Sequence, residues 1–154
     1  MSRRDEQVGC IAALIKESSV SLACAESLTA GGIASALARG ESAAGWFRGA
    51  VVAYASEVKF QVLDVAEGPV VTAACAQQMA VGVAEKLGAD VSVATTGVGG
   101  PDPEEGEPAG TVYISTYRDG QTHVVRREFN GDPASIIEQT IEAALGELEA
   151  ALTG

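Results

Sequence analysis

The chain has 154 residues, the length of one ordinary domain, and 47% of them are hydrophobic, enough for a sizeable core. Its net charge of −11, from 21 acidic and 10 basic residues, argues against nucleic acid as a partner and gives no support for an anionic membrane surface. Aromatics are only 5%, so the core must be built from Ala, Val, Leu and Ile.

The N-terminal MSRRDEQ has no apolar run behind it, so no signal peptide is expected. Residues 5–17 place Val8, Ile11, Ala12, Leu14 and Ile15 on one face, a helical period. Val20 to Ala25 is a short apolar run that reads as a buried strand, and it leads directly into Glu26-Ser27-Leu28-Thr29-Ala30-Gly31-Gly32. Ile33, Ala36 and Leu37 resume a helical spacing as far as Arg39, and Gly40 to Gly45 is a loop. Phe47 to Ala55 reads as the second strand. Ser56 is placed to cap the short helix that carries Lys59. Gly68-Pro69 breaks the chain. A longer helix runs from Thr72 to Leu87, with Cys75, Met79, Val83 and Leu87 on one stripe and Gly88 as its C-terminal stop.

Asp90 to Thr96 alternates and is β-branched, a third strand that runs into Gly97-Val98-Gly99-Gly100-Pro101. The acidic segment Glu104 to Pro108 reads as a solvated loop. Thr111 to Tyr117 and Thr122 to Phe129 are two strands joined at Asp119-Gly120, a strong hairpin signal. Pro133 opens the last helix, which buries Ile136, Ile137, Ile141, Leu145 and Leu148 and runs to about Leu152. Strands separated by helices imply a parallel sheet, and the hairpin adds an antiparallel strand. The expected fold is therefore α/β: a three-layer α/β/α sandwich with a mixed, mostly parallel sheet, forming a single domain over residues 1–154. Cys10, Cys24 and Cys75 show no metal-ligand spacing, and no apolar run reaches membrane-spanning length. A soluble, cytoplasmic protein without metal is expected.

Three loops leave strand ends: ESLTAGG, YASEVK and TTGVGGP. In a parallel sheet they lie along one edge, where α/β folds bind ligands. Two are glycine-rich and offer backbone N–H groups to an anion, and ESLTAGG also opens a helix. Ser27, Thr29, Thr95 and Thr96 add hydroxyls. Each loop alone is more often only a tight turn; the two together, beside Tyr54 and Lys59, resemble a pocket for a phosphate or a developing oxyanion. Neither is a Walker A loop or a dinucleotide fingerprint. Lys59 is a general base only if burial depresses its pKa, against nearby carboxylates such as Glu57. His123, the one histidine, sits in the hairpin away from these loops and takes a structural or exposed role.

At these loops the sequence resembles the CinA C-terminal domain family, the nicotinamide-nucleotide amidohydrolases. The resemblance rests on AESLTAGG (Ala25 to Gly32), FRGAVVAYASEVKFQVLDV (Phe47 to Val65), ATTGVGGPDPEEGEPAGTVYIS (Ala94 to Ser115) and FNGD (Phe129 to Asp132). It implies hydrolytic deamidation of nicotinamide mononucleotide to nicotinic acid mononucleotide, in pyridine nucleotide salvage, without metal or cofactor. Lys59 falls on its base position, Tyr54 on its tyrosine position and Thr96 on a site hydroxyl. Glu26, Ser27, Thr29, Gly31, Gly97, Gly99 and Gly100 are the expected substrate-binding residues. The family also tends to self-associate, and many members carry this domain behind a larger one, whereas a stand-alone form is expected here.

Two positions depart from the family pattern. Its nucleophile is a serine three residues before the Phe of the aromatic pair, where this chain has Ala44, and the arginine after its Gly-Asp is here Pro133. Three readings follow. Ser42 supplies the hydroxyl through a two-residue slip of its loop; or Lys59 and Tyr54 activate water directly; or the fold is kept as a nucleotide- or protein-binding module without the reaction.

Overall fold

Five strands form one mixed sheet in the order β2-β1-β3-β4-β5, as seen in a computed structural model that describes residues 1–154. In chain order the elements are α1 (Arg3–Ser18), β1 (Leu22–Glu26), α2 (Gly32–Leu37), β2 (Phe47–Val52), α3 (Ser56–Leu63), α4 (Ala73–Leu87), β3 (Val91–Gly97), β4 (Thr111–Arg118), β5 (Gln121–Glu128) and α5 (Pro133–Thr153). β2 and β3 flank β1 in parallel; β3–β4 and β4–β5 pair antiparallel. Only β4 therefore runs against the others. The chain adds β2 on one side of β1 and then crosses to place β3 on the other. That reversal opens a crevice at the carboxyl ends of β1 and β3.

Strand alternation sorts the core into two layers. Leu22 and Cys24 of β1, with Val91 and Val93 of β3, face α1, α2 and α5. Ala23 and Ala25, with Ala94, face the other way and pack under Leu63 of α3 and Cys75, Met79 and Val83 of α4. The small alanines on that face let α4 lie close to the sheet. This is the expected three-layer arrangement.

Several boundaries differ from the sequence reading. β1 begins at Leu22, because Ser21 is drawn out to Asp90: its N–H and Oγ both bond the Asp90 carboxylate, at 2.9 and 3.2 Å. β2 ends at Val52 rather than Ala55, where Ala53 N donates a last bond to Glu26 O and Tyr54 turns to solvent. Ser56 does not cap α3. Ala55 holds the N-cap position without a side-chain bond, and Ser56 is the first helical residue. Thr72, Gly88 and Asp132 cap as their residue types suggest: Thr72 accepts from Cys75 N, Asp132 from Ser135 N, and Gly88 closes α4 with φ +67°. Asp119 and Gly120 both take positive φ, the backbone that a two-residue hairpin turn requires. No helix is long and apolar enough to cross a membrane.

Candidate active site

The register Glu26↔Val52 between β1 and β2 sets the residue after each strand side by side. Ser27 follows Glu26, and Ala53 follows Val52. From the far side, α3 returns Lys59 to the same point. Lys59 Nζ lies 2.9 Å from Ser27 Oγ, 2.8 Å from Ala53 O and 3.3 Å from Tyr54 O. The lysine is 1% exposed and Ser27 6%. Burial holds the Lys59 amine below its ordinary value, with Cys75, Glu104 and Glu105 opposing. Lys59 Nζ donates to Ser27 Oγ and to the two carbonyls; once it loses a proton, two N–H groups still satisfy the carbonyls and the lone pair is left for the serine hydroxyl. That is the geometry for drawing a proton from Ser27.

A cavity of about 310 Å³ opens above this pair. Ser27, Tyr54, Gly97, Gly99 and Gly100 line it, as expected, together with Leu28. Pro101, the last residue of the TTGVGGP loop, continues the wall, and Asp102, Pro103 and Glu104 complete it; these three were not named as site residues, and Glu104 opens the stretch that polarity alone assigns to solvent. The signal for them was their attachment to the GVGGP turn. The loop is held down by Glu105, whose carboxylate accepts from Val70 N and Val71 N at 2.8–3.2 Å. The backbone N–H groups of Leu28, Gly99 and Gly100 donate to no acceptor within the protein. Tyr54 is 70% exposed at the rim, and it is its carbonyl, not its hydroxyl, that meets Lys59.

Other expected site residues support the loops from outside the cavity. Glu26 is fully buried, and its two oxygens accept from Ile33 N and Ala34 N, each at 2.9 Å. It caps the start of α2, is closed off by burial and lies outside the cavity lining. This overturns both its substrate-binding role and the idea that the α2 amides await an anion. Thr29 Oγ1 pairs with Thr95 Oγ1 at 3.0 Å, tying ESLTAGG to β3. Thr96 donates to Val70 O at 2.8 Å and is fully buried beneath the cavity rather than in its wall. Gly31 takes φ +99° at the N-cap of α2 and lies outside the lining.

Ser42 is not near this pair. It precedes β2, in the turn that leads into Ala43–Gly45, at the edge where Leu22 pairs with Phe47. Lys59 lies past the other end of β2, roughly 20 Å away along the strand. A two-residue slip does not bridge that distance, so the Ser42 reading fails within this chain. Ala44 lies on the same distant turn. A larger hollow of about 660 Å³ lies at that edge, between α1 and Trp46. Only at the smaller cavity does a buried amine meet a hydroxyl, Lys59 against Ser27. The two buried thiols are disfavoured as nucleophiles: burial pushes Cys75 up, and burial followed by the Glu26 charge pushes Cys24 well up; Cys10 is exposed on α1 and lines none of this cavity. His123 lies in β5, 3.7 Å from Glu147, and lines none of this cavity. No group of three or more His, Cys, Asp or Glu is placed to hold a metal ion.

The chain matches the CinA C-terminal domain over residues 5–152. It is 37% identical to a CinA-like protein of Frankia casuarinae across 97% of this chain and 36% of that protein. It is 35% identical to Protein YdeJ of Escherichia coli across 82% of this chain and 77% of that one. Its backbone is similar to the crystal structure of a competence-damaged protein (CinA) superfamily protein from Klebsiella pneumoniae, with TM-score 0.94 and 31% identity over 99% of both chains. The chain thus spans about a third of the length of the CinA-like relatives it matches first, at 36–37% of each.

Proposed function

Since the chain belongs to the CinA C-terminal domain family, we propose that it is an amide hydrolase with Ser27 as nucleophile and Lys59 as base. The observation that carries this reading is the 2.9 Å contact between Lys59 Nζ and Ser27 Oγ inside a buried site. It departs from the family expectation of a serine at position 44, because Ala44 lies at the wrong edge of the sheet and a serine already stands beside the lysine. The resemblance names nicotinamide mononucleotide as the first amide to test.

The reaction balances with one water. Ser27 Oγ gives its proton to Lys59 Nζ and bonds to the amide carbon. The carbonyl oxygen becomes negative, and the candidates to meet it are the cavity-lining residues whose backbone N–H has no acceptor within the protein, Leu28, Gly99 and Gly100. Lys59 returns the proton to the amide nitrogen, the C–N bond breaks, and ammonia leaves. Water then adds to the ester carbon while Lys59 accepts its proton. The C–Oγ bond breaks, Oγ takes the proton back, and the acid is released. Tyr54, at the rim, covers the ring of the substrate in this reading. Self-association and a cytoplasmic location remain part of the proposal. Self-association is supported by β2, an edge strand that ends at the exposed Val52 beside Tyr54.

The test is ammonia release from nicotinamide mononucleotide and related amides. Ser27→Ala is expected to lower kcat by roughly a thousandfold or more, and Ser42→Ala to leave it within twofold or so. Full activity in Ser27→Ala returns the mechanism to direct activation of water by Lys59. Saturable binding by the intact chain with no ammonia released leaves a binding module.

A further inference from the structure

The wall of the active-site cavity is a loop fastened at its base and its tip and free between them. At the base, Val98 N donates to Thr111 O and Gly110 N to Val98 O. No backbone hydrogen bond ties Pro101, Asp102 or Pro103 to the protein, although these residues line the cavity. The tip is a tight turn in which Glu104 and Glu107 exchange backbone bonds at 3.0 and 2.8 Å. Its two central residues, Glu105 and Gly106, take φ of +53° and +77°. Glycine, asparagine and aspartate suit such a turn, and glutamate does not. A larger side chain held at positive φ points to a task for that side chain. Here the Glu105 carboxylate accepts from two successive amides: Oε1 lies 3.2 Å from Val70 N and 2.8 Å from Val71 N, and Oε2 lies 2.9 Å from Val70 N. Val70 is itself a fixed point, because its carbonyl accepts from Thr96 Oγ1 at 2.8 Å. The ion pair at the tip, Glu107 with Arg126 at 3.3 Å, is exposed on both sides and contributes little.

We propose that Glu105 is a positioning residue: its carboxylate latches the wall formed by residues 101–104 against the segment before α4, over Ser27 and Lys59, and releases it for ligand exchange. With the wall down, Ser27 is almost wholly covered, so a ligand enters or leaves when the wall lifts. Glu105 is exposed, so water can take the place of the Val70 and Val71 amides and the latch opens without unfolding the core. This inference rests on the hydrolase reading for its kinetic consequence, but not for the latch itself.

The experiment compares Glu105→Ala with Glu105→Gln, with nicotinamide mononucleotide as the probe. Both changes remove the same negative charge, so any effect of that charge on Lys59 cancels between them. Only glutamine keeps an oxygen in the place of Oε1, which by itself reaches both amides. A wall closed for roughly a tenth of the time lowers apparent affinity about tenfold, while bound ligand still closes it. KM for Glu105→Ala should therefore lie about tenfold above that for Glu105→Gln, with the two kcat values within about twofold. Amide exchange in the intact chain adds a readout at residues that line no part of the cavity: the ligand should slow exchange at Val70 and Val71 by about threefold or more. Equal KM values, a fall in kcat that tracks a loss of Tm, or exchange at Val70 and Val71 that ignores the ligand overturns the latch and leaves the hydrolase reading standing. If the intact chain releases no ammonia, the hydrolase reading fails and calorimetry takes the place of KM. Binding about tenfold weaker in Glu105→Ala than in Glu105→Gln then keeps the latch; equal binding, or no binding by the intact chain at millimolar concentration, overturns it.

Discussion

Lys59 decides the chemistry at the residue scale, because a lysine accepts a proton only when its amine is neutral. Burial lowers its pKa below 10.5, and the charges of Cys75, Glu104 and Glu105 pull it back up. The sign follows. The charged form is disfavoured in the folded protein, so the lysine costs stability below its folded pKa. That cost is relieved as pH rises from the folded pKa toward the unfolded one. The active form gains in the same direction. A kcat profile should therefore rise with pH, with its midpoint below 10.5. Glu104→Gln removes one of the opposing carboxylates and should move that limb to lower pH; a limb that stays put, or moves up, rejects Lys59 as the titrating base. Lys59→Arg should fail as a replacement, since guanidinium stays charged and cannot take the serine proton. Single residues were only partly legible in the sequence. Tyr54 and Lys59 were recognisable as a pair at a strand end, and Ser27 as a member of a glycine-rich loop. Ser27 was not recognisable as the lysine's partner, because 32 residues separate the two.

At the scale of elements, the position of the base depends on how α3 seats against α4. The crossing is at Gly82, which is buried, and a methyl group there would collide with Leu63 O at the end of α3. Gly82→Ala should cost about 2–3 kcal/mol through overpacking and also lower kcat, because the displaced helix carries Lys59. Denaturant unfolding and ammonia release measured on the same variant check both; a stable, fully active variant would show that the crossing tolerates the shift. The elements themselves were well marked in the sequence. Apolar periodicity and the residue types at Thr72, Gly88, Asp119-Gly120 and Pro133 located the helices and the hairpin. Strand ends were less so. Asp90 and Glu26, from neighbouring segments, decide where β1 begins and where β2 stops, and local propensity does not register a partner far along the chain.

For the whole molecule, 21 acidic residues against 10 basic ones leave a net charge of −11, and every ion pair has at least one exposed side chain. Exposed pairs contribute little, while the excess negative charge repels itself. Screening should therefore stabilise the fold. Raising sodium chloride from about 0.01 to 0.3 M is expected to raise Tm by roughly 2–4 °C, about 1 kcal/mol for a chain of this size; a falling Tm would mean that the surface pairs outweigh the repulsion. The sequence by itself determined the class of fold, the family, the three loops and the place of Lys59 just past a strand end. Each of these is written in short stretches, where periodicity, turn chemistry and motif act over a few residues. Only the tertiary structure decided which hydroxyl stands beside Lys59 and which lies a strand length away, that Glu26 is a cap, and that carboxylates line the cavity. Those facts come from the parallel register of β1 and β2 and from the return of α3 across them, which join residues that no local pattern relates.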